Sequence, residues 1–227
     1  MTEPINRYLD HAVLKPEITQ DETVRAIRLG LDYDVRTVCV RPCDIVLAVS
    51  LCTGSQTGVS TVVAFPHGCT ISSAKGSEAH ACIEAGADEI DMVVNYGYVR
   101  SGLWDAVIAD ISAVTAVARP RGVIVKVIFE TSFLTLAEIK RSTECAIAAE
   151  ADFVKTSTGF GGDGATEDGV RAMIEAAAGR IQVKASGGIR DYARAALFIG
   201  LGATRIGNGY TSTQPICEGS GSGEAAY

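Results

Sequence analysis

The sequence has few metal-binding residues and lacks the usual cysteine patterns. Its three histidines, His11, His67 and His80, stand at no metal-ligand spacing, and its seven cysteines include no C-x-x-C pair. Most of these cysteines lie in apolar or helical stretches, and their number is odd. Such a set is typical of reduced thiols and not of a disulfide framework or a zinc site. We therefore expect no metal ion and a cytoplasmic location.

Long apolar runs, a basic segment and a leader-like start are also missing. No apolar stretch approaches the roughly 20 residues that span a bilayer. The start, Met-Thr-Glu-Pro-Ile-Asn-Arg, does not show the basic and then apolar pattern of a signal peptide. The formal net charge is −7 and no basic run occurs, so the electrostatic footprint of a nucleic-acid-binding protein is absent. Neither a membrane nor a nucleic acid is an expected partner.

What the sequence does contain is a regular alternation of apolar and amphipathic stretches. Near-continuous apolar strands separated by amphipathic helices are typical of parallel β/α units. The spacing between strands is close to 25–30 residues. The predicted strands cover residues 8–11, 36–41, 60–65, 89–95, 123–129, 153–156, 181–186 and 204–207.

Eight such units in 227 residues predict an α/β fold, the (β/α)8 or TIM barrel, as one domain over residues 1–227. A short helical segment is expected before the first strand. The tail from about residue 211 to 227 is rich in glycine and serine, which predicts a mobile segment. A doubly wound open sheet is the alternative, although no G-x-G-x-x-G or Walker pattern follows the first strand.

Lys155 stands in the middle of a short apolar strand. Because side chains alternate across a strand, Lys155 shares a face with Phe153 and Ser157. Burial and nearby positive charge lower the pKa of a lysine, and a neutral lysine forms Schiff bases with carbonyls. Thr158 and Gly159 then end the strand with a hydroxyl and a flexible backbone, as ligand-binding loops do. Taken alone, this lysine is more simply interpreted as a strand-end residue whose ammonium reaches water.

Charged or polar residues recur inside or just after the other predicted strands. Ligands bind at the carboxyl ends of barrel strands, so these residues are candidates for one site. An internal ion pair is the better explanation for any single one of them. The whole set would be an unfavourable way to fill a core, because a buried pair often fails to repay its desolvation. The candidates are Asp10, Asp91, Asn95, Lys126, Glu130, Lys155 and Lys184.

Lys155 and Lys184 occupy equivalent positions in consecutive strands. Adjacent strands lie about 4.8 Å apart, so two ammonium groups there would repel each other. The pKa of one lysine should then fall toward neutrality. Asp91 is suited to receive and return a proton and to pair with the lysine that stays charged. These three residues predict a nucleophile, an electrostatic activator and an acid–base group in one pocket.

Glycines after the last two strands indicate an anion site. Gly187 and Gly188 precede a predicted helix, where free backbone N–H groups and the helix dipole attract anions. Gly207, Asn208 and Gly209 follow the last strand, and the loops after strands seven and eight are the usual phosphate site of this barrel. The alternative interpretation is that these glycines only form tight turns.

Motifs along the whole chain resemble those of the deoxyribose-phosphate aldolase family. The most specific are Val154-Lys-Thr-Ser-Thr-Gly159 and Lys184-Ala-Ser-Gly-Gly-Ile-Arg190. The resemblance implies a metal-free class I aldolase without an organic cofactor. It also implies reversible cleavage of 2-deoxy-D-ribose 5-phosphate to acetaldehyde and D-glyceraldehyde 3-phosphate. The other matching stretches are residues 9–16, 38–40, 64–68, 87–93, 126–131 and 202–207, in the order that the family has them.

Roles for individual residues follow from the same resemblance. Lys155 matches the Schiff-base nucleophile, Lys184 the lysine that lowers its pKa, and Asp91 the proton-transfer group. The final tyrosine, Tyr227, matches a family tyrosine that reaches back to the site to move a proton. The residues expected to line the site are Asp10, Cys39 and Lys126.

Two departures from the family pattern concern the phosphate. Phe160 stands where some relatives carry a lysine, and Asn208, Gly209 and Tyr210 stand where many relatives have hydroxyl residues. We therefore expect a weaker preference for phosphorylated over plain deoxyribose than a serine-bearing relative shows.

Three alternatives to this function remain at the level of sequence. They are a Schiff-base aldolase for another aldehyde, a non-catalytic phosphate-binding barrel, and a nucleotide-binding α/β protein, for which the glycine fingerprint is missing. Small aldehydes and sugar phosphates are the expected partners. A homodimer is a hypothesis, with a monomer as its alternative.

Overall fold

The strands form a closed, eight-stranded parallel barrel in sequence order. The computed structural model describes residues 2–219. Strand β8 pairs with β1 and closes the sheet, so the barrel prediction is confirmed and the open-sheet alternative is wrong. The strands are β1 (Leu9–Val13), β2 (Thr37–Val40), β3 (Gly58–Val63), β4 (Glu89–Val93), β5 (Ile124–Ile128), β6 (Phe153–Lys155), β7 (Gln182–Ser186) and β8 (Arg205–Gly209).

Helices surround the barrel and connect its strands. The expected N-terminal helical segment is a 3-10 helix, Ile5–Tyr8. Within residues 2–219, no helix is both long and apolar enough to cross a membrane. The α-helices are α1 (Gln20–Asp32), α2 (Ile45–Cys52), α3 (Ser72–Glu84), α4 (Tyr96–Arg100), α5 (Trp104–Ala118), α6 (Leu136–Ala148), α7 (Glu167–Ala177), α8 (Tyr192–Leu201) and α9 (Thr213–Glu218).

Successive side chains along each strand face alternately outward to the helices and inward to the barrel, and the two sets differ in polarity. Those that face outward are apolar and pack against the helices, as the fully buried Val38, Ile90 and Val125 do. Many that face inward are polar or charged. An ion pair of 3.6 Å between Lys126 of β5 and Asp10 of β1 crosses the barrel between strands that are not neighbours. The barrel therefore encloses a polar site within an apolar shell.

A buried ion pair outside the barrel holds the end of β4. Lys75 Nζ donates to Asp110 Oδ2 at 2.6 Å and to the carbonyl of Val93 at 2.9 Å. Asp110 Oδ2 also accepts from the backbone N–H of Asn95 at 3.0 Å. Because Val93 follows Asp91 by two residues, this pair fixes the strand end that carries Asp91.

The end of the chain is more ordered than its composition suggests. The predicted start of the mobile tail, at about residue 211, is wrong, because Tyr210–Ser212 form a 3-10 helix and α9 follows directly. Ile216 of α9 is fully buried, and the Tyr33 hydroxyl donates to Glu218 Oε1 at 2.5 Å. Apolar packing therefore outweighs the glycine- and serine-rich composition up to residue 219. Tyr227 lies outside the described residues.

A buried polar cluster joins β1, β8 and α9 on the outside of the barrel. His11 is fully buried, and its Nε2 lies 2.8 Å from the carbonyl oxygen of Ala26. A carbonyl can only accept, so Nε2 carries the proton and Nδ1 accepts from the Thr213 hydroxyl at 2.7 Å. Thr213 Oγ1 in turn accepts from Asn208 Nδ2 at 2.7 Å. Burial lowers the pKa of His11 to about 4, so its ring is neutral at pH 7.

We expect this neutral histidine to make the fold less stable as the pH falls from about 6.5 to 4. In that range the unfolded chain binds a proton at His11 that the native chain does not, so the free energy of unfolding decreases with decreasing pH. The loss attributable to His11 between pH 7 and pH 5 is about 2 kcal/mol. Urea unfolding at both pH values measures it, and the His11→Gln variant should show a correspondingly smaller loss.

Glutamine keeps the donor toward Ala26 and the acceptor toward Thr213 but does not titrate. The exposed His80 on α3 provides the matched control, because His80→Gln should retain the full loss of the wild type. An equal loss of stability in His11→Gln and in the wild type would contradict the assignment of this pH dependence to His11.

Candidate active site

Among residues 2–219, seven charged side chains meet inside the barrel. They come from β1, β4, β5, β6, β7 and β8, and each residue is at most 5% exposed. Neighbouring members lie within ion-pair distance, so the set forms one continuous network. The three carboxylates are Asp10, Glu89 and Asp91, and the four cations are Lys126, Lys155, Lys184 and Arg205.

Asp91 is the centre of this network. Its Oδ2 accepts from the Nζ atoms of both Lys155 and Lys184, each at 2.7 Å. Its Oδ1 accepts from Lys126 Nζ at 2.6 Å. Lys155 lies directly opposite Lys184 in the parallel pairing of β6 with β7. The structure therefore brings three of the four predicted catalytic residues together, with both lysines bound to the carboxylate of Asp91.

Asp10 connects the lysines to a deeper arginine. Its Oδ2 accepts from Lys184, and its Oδ1 accepts from Arg205 Nη1 and from the Thr37 hydroxyl, both at 2.7 Å. Arg205 also donates to both oxygens of Glu89, at 2.8 and 3.2 Å. Asp10 thus fixes the position of Lys184 from below.

Glu89 and Arg205 are members of the network that the sequence analysis missed. Lys126 Nζ lies 2.6 Å from Glu89 Oε2 as an ion pair, so Glu89 has a cation on two sides. Glu89 precedes Asp91 by two residues, which places both on the same face of β4. The same alternation could have identified Arg205, because it precedes the predicted site residue Gly207 by two positions and therefore lies on the same face of β8.

The positive and negative charges of the network do not cancel if every group in it is ionised. Three carboxylates face four cations, and an unpaired buried charge is strongly disfavoured. Burial lowers the pKa of Lys155 against the attraction of Asp91, and the like charge of Lys184 lowers it further. Burial opposes the charged form of Lys184 as well, but there Asp10 and Asp91 prevail and raise its pKa. Lys155 is therefore the amine that most readily becomes neutral.

At Asp91 the neighbouring charges outweigh burial, whereas at Lys155 burial outweighs the attraction of the carboxylate. Burial alone would raise the pKa of its carboxyl group, but Lys126, Lys155 and Lys184 hold this pKa well below its usual range. Asp91 thus stays ionised in the resting site. It becomes a useful proton acceptor only after one of the neighbouring amines has lost its positive charge.

A small cavity lies above Lys155 at the carboxyl ends of the strands. Cys39 in its wall is almost fully buried, and burial raises the pKa of its thiol. The cavity brings together most of the predicted lining residues. Its wall consists of Asp10, Ala12, Leu14, Cys39, Lys155, Thr158, Lys184, Ser186, Gly187 and Gly207.

The two remaining polar candidates lie at the rim. Glu130 is buried, and its carboxylate accepts from the Thr158 hydroxyl and from the Thr158 N–H at 3.3 Å instead of joining the ionic network. Burial raises the pKa of Glu130. Asn95 caps α4, where its side chain accepts from Tyr98 N. Gly159, the residue after Thr158, has φ +86°, a backbone conformation that suits glycine.

A second cavity lies beside the first, between the loops after β7 and β8. Gly187 and Gly188 both have positive φ, and a Cβ on Gly187 would lie only 2.7 Å from Gly164 Cα. Glycine is therefore required at Gly187 by the close approach of the loop after β6, whereas at Gly188 it is favoured by the positive φ alone. The cavity is lined by Gly188, Ile189, Arg190, Gly207, Asn208, Gly209 and Ser212.

One expectation about this anion site is wrong. Helix α8 begins at Tyr192, and its N-terminus is capped by Asp191, whose Oδ1 accepts from Arg194 N at 2.8 Å. The helix end is thus occupied by a carboxylate and does not start at the glycines. Asn208 Nδ2 donates to Thr213 Oγ1 on the outside of the barrel, so only the backbone of Asn208 is available to the cavity, and its predicted backbone contact with the phosphate stays a prediction. The sequence analysis also missed Ser212.

Comparison with known proteins leads to one family. Residues 9–215 match the model of the DeoC/LacD family aldolase. The chain belongs to this family of aldolases. It is 44% identical to the deoxyribose-phosphate aldolase of Streptococcus gordonii over 89% of this chain and 91% of that protein. It is 42% identical to the deoxyribose-phosphate aldolase of Desulfitobacterium hafniense over 88% of this chain and 91% of that protein.

Solved structures of DeoC/LacD-type aldolases agree with this barrel. A putative deoxyribose-phosphate aldolase from Coccidioides immitis has a TM-score of 0.90 and 36% identity, covering 94% of this chain and 85% of that one. Deoxyribose phosphate aldolase from Aeropyrum pernix, described as a tetramer, has a TM-score of 0.86 and 30% identity, covering 94% and 89%. The resemblance based on motifs is thereby confirmed, and the nucleotide-binding and non-catalytic alternatives are wrong.

Proposed function

We propose that this chain is a class I aldolase that reversibly cleaves 2-deoxy-D-ribose 5-phosphate to acetaldehyde and D-glyceraldehyde 3-phosphate. The observation that carries the proposal is the buried Lys155 amine, which shares one oxygen of Asp91 with a second lysine. Burial lowers the pKa of Lys155, which favours the nucleophilic form. The chain also covers about nine tenths of relatives that are named deoxyribose-phosphate aldolases.

The reaction proceeds through covalent intermediates on Lys155. The neutral amine attacks C1 of the open-chain sugar, and loss of water gives a protonated imine that withdraws electrons from the C2–C3 bond. Removal of the C3 hydroxyl proton breaks this bond and forms the aldehyde of glyceraldehyde 3-phosphate. The two-carbon enamine that remains on Lys155 takes up a proton, and hydrolysis then releases acetaldehyde and the free amine.

The neighbouring charges support these steps. The protonated imine restores a positive charge at a position where Lys155 Nζ lies 2.7 Å from Asp91 Oδ2, so the carboxylate stabilises the intermediate. Lys184 keeps its own proton and favours the neutral form of Lys155 before the attack. We assign to Asp91 the acceptance of the C3 hydroxyl proton, through water or a hydroxyl. Donation of a proton to the enamine by Tyr227 stays a prediction.

We assign the phosphate group to the cavity between the loops after β7 and β8. Backbone at Gly188, Gly207 and Gly209 lines this cavity, and Arg190 adds a positive charge. It adjoins the cavity above Lys155, because Gly207 lines both. A sugar phosphate bound in this way would have its aldehyde at Lys155 and its phosphate at the glycines.

The missing hydroxyl side chains should weaken the preference for the phosphorylated sugar. Gly209 has φ −64°, which any residue adopts, so Gly209→Ser adds a phosphate donor without backbone strain. We expect the ratio of kcat/KM for deoxyribose 5-phosphate to kcat/KM for deoxyribose to rise about tenfold in this variant. Gly209→Ala is the matched control and should leave the ratio within about twofold of the wild type.

Steady-state kinetics with both sugars provides this ratio. A wild-type ratio equal to or higher than that of a serine-bearing relative would contradict the expected weak discrimination. An equal change in the serine and alanine variants would show that a hydroxyl at this position does not reach the phosphate.

Borohydride reduction in the presence of acetaldehyde, followed by peptide mass mapping, tests the proposed function. A two-carbon adduct on Lys155 is the expected result, because reduction traps the imine. An adduct on Lys184 would retain the aldolase but exchange the roles of the two lysines. Absence of any adduct on the folded protein would contradict Schiff-base catalysis.

A Schiff-base aldolase for another, non-phosphorylated aldehyde is the second candidate function. The observation in its favour is Phe160, an apolar side chain at the position where some relatives carry a lysine. A panel of aldehyde acceptors, assayed with acetaldehyde as donor, separates the two. The homodimer and the cytoplasmic location stay predictions.

A further inference from the structure

Two members of the charged network, Glu89 and Arg205, lie at the amino ends of their strands, away from the substrate cavity. Glu89 is the first residue of β4 and Arg205 is the first residue of β8. Both are buried, at 5% and 4% exposed. Among residues 2–219, the wall of the cavity above Lys155 includes neither of them. Any effect that they have on the reaction therefore acts through other residues.

Arg205 connects two carboxylates. Its Nη1 donates to Asp10 Oδ1 at 2.7 Å and to Glu89 Oε2 at 2.8 Å, and its Nη2 donates to Glu89 Oε1 at 3.2 Å. The guanidinium also lies over the ring of Phe153, 5.1 Å from its centroid. Arg205 therefore takes up part of the negative charge that would otherwise attract the lysines.

Lys126 is shared between Glu89 and Asp91. Its Nζ lies 2.6 Å from Glu89 Oε2 and 2.6 Å from Asp91 Oδ1. The third carboxylate, Asp10, is farther away, at 3.6 Å. Because one ammonium serves both Glu89 and Asp91, a stronger attraction to Glu89 leaves Asp91 less compensated. The charge of Glu89 is thus transmitted to Asp91 through Lys126.

Asp91 transmits the effect in turn to the amine of Lys155. In the part of the chain that the structure describes, Asp91 is the one ion-pair partner of Lys155, and their atoms Oδ2 and Nζ are 2.7 Å apart. A less compensated Asp91 holds the Lys155 ammonium more firmly, whereas a fully compensated Asp91 releases its proton more readily. The other titratable groups that act on Lys155 are Lys184 from β7, Cys39 from β2 and Glu130 after β5.

We propose that Glu89 and Arg205 are positioning residues that adjust the reactivity of Lys155 in opposite directions. Glu89 draws Lys126 away from Asp91 and so favours the charged form of Lys155. Arg205 occupies Glu89 and Asp10, which leaves Lys126 and Lys184 to Asp91 and so favours the neutral, nucleophilic form of Lys155. The inference rests on the proposed function, because the amine concerned is the one that forms the Schiff base.

Glu89→Gln tests the first half of the proposal. Glutamine keeps an oxygen acceptor toward Arg205 but removes the negative charge, so Lys126 compensates Asp91 more fully and the pKa of Lys155 falls. We expect the acid-side midpoint of kcat/KM for deoxyribose 5-phosphate to move about one unit to lower pH. On the acid side, kcat/KM relative to its own plateau should then be about tenfold higher than in the wild type.

Arg205→Met tests the second half and should move the same midpoint about one unit to higher pH. Glu89 and Asp10 keep Lys126 and Lys184 as partners in this variant. The double variant Glu89→Gln/Arg205→Met removes one charge of each sign, so its midpoint should lie within about half a unit of the wild type. Return of the midpoint in the double variant shows the effect of Glu89 independently of the single Glu89→Gln variant.

The exposed ion pair of Glu84 with Arg121 provides the matched control. These side chains are 2.5 Å apart and each is 53% exposed, so solvent screens their charges. Glu84→Gln should leave the midpoint at the wild-type value. A merely structural role of Glu89 or Arg205 would lower the plateau of the profile without moving its midpoint.

Formation of the acetaldehyde adduct on Lys155, trapped with borohydride at each pH, provides a second readout without the sugar phosphate. It should show the same shifts, because imine formation also needs the neutral amine. Unmoved midpoints in both single variants, or shifts in the same direction, would overturn the role of Glu89 and Arg205. Absence of the adduct in the wild type would instead overturn the proposed function, so the two failures are distinguishable.

Discussion

Lys155→Met should reduce the kcat for cleavage of deoxyribose 5-phosphate by about 10⁴- to 10⁶-fold. Methionine is similar in length to lysine and replaces its apolar stem, but it has no amine, so the imine cannot form. The same variant should give no adduct on residue 155 after borohydride reduction with acetaldehyde. Initial rates of aldehyde formation and peptide mass mapping measure the two effects.

The loss of activity in this variant should not come from unfolding. Lys155→Met removes the one cation in excess over the three carboxylates, so the free energy of unfolding should equal or exceed that of the wild type. The half-buried Lys140 on α6, which pairs with Glu175 outside the barrel, provides a control, since Lys140→Met should keep both activity and adduct. A variant at position 155 that retains more than about a tenth of the wild-type kcat would contradict its role as nucleophile.

Lys184→Met should move the acid side of the pH–activity profile to higher pH. With Lys184 removed, three carboxylates face three cations, and Lys155 is then needed in its charged form to balance them. Asp91 also loses one of its competing donors and binds the Lys155 ammonium more strongly. Both changes raise the pKa of Lys155, whose neutral form is the one that reacts.

The expected size of this effect is two to three powers of ten at pH 7. Each unit of upward shift in the pKa of Lys155 lowers the neutral fraction about tenfold below that pKa. We expect kcat/KM at pH 7 to fall about 10²- to 10³-fold and to recover in part at higher pH. Profiles of kcat/KM against pH for the wild type and the variant measure the shift.

Lys184→Arg is the matched control because it keeps a positive charge beside Asp10 and Asp91. Its acid side should move less than that of Lys184→Met. A fall in kcat/KM of the same size at every pH in Lys184→Met would contradict the electrostatic role. Such a result would indicate that Lys184 contacts the substrate and does not act through the pKa of Lys155.

The alternation of apolar strands with amphipathic helices, and the regular spacing between the strands, were sufficient to predict the barrel. Outward-facing strand residues such as Val38, Ile90 and Val125 pack in the apolar shell, and this burial depends on local sequence alone. The strand bounds differ by a few residues, as for β1, because the ends of strands depend on pairing with neighbours. The equivalent positions of Lys155 and Lys184 in consecutive strands also predicted that these two lysines lie side by side.

The interior charges were only partly predictable. Arg205 lies at the start of β8, and only closure of the barrel brings it next to Asp10 on β1, 195 residues earlier in the chain. Glu89 was missed in the same way, because its partners come from β5 and β8. Likewise, the actual start of α8 depends on Asp191 as its cap, which separates the helix end from the glycines.

The sequence by itself determined the eight β/α units, the membership in an aldolase family and the choice of Lys155 and Lys184 as candidate catalytic residues. These properties depend on residue type and on spacing along the chain, which are local. Only the tertiary structure decided that Lys155 is the amine favoured to be neutral. That outcome depends on the number of opposite charges around each amine: Lys184 is bound by two carboxylates and Lys155 by one. Such a count exists only after six strands have brought their side chains into one desolvated space.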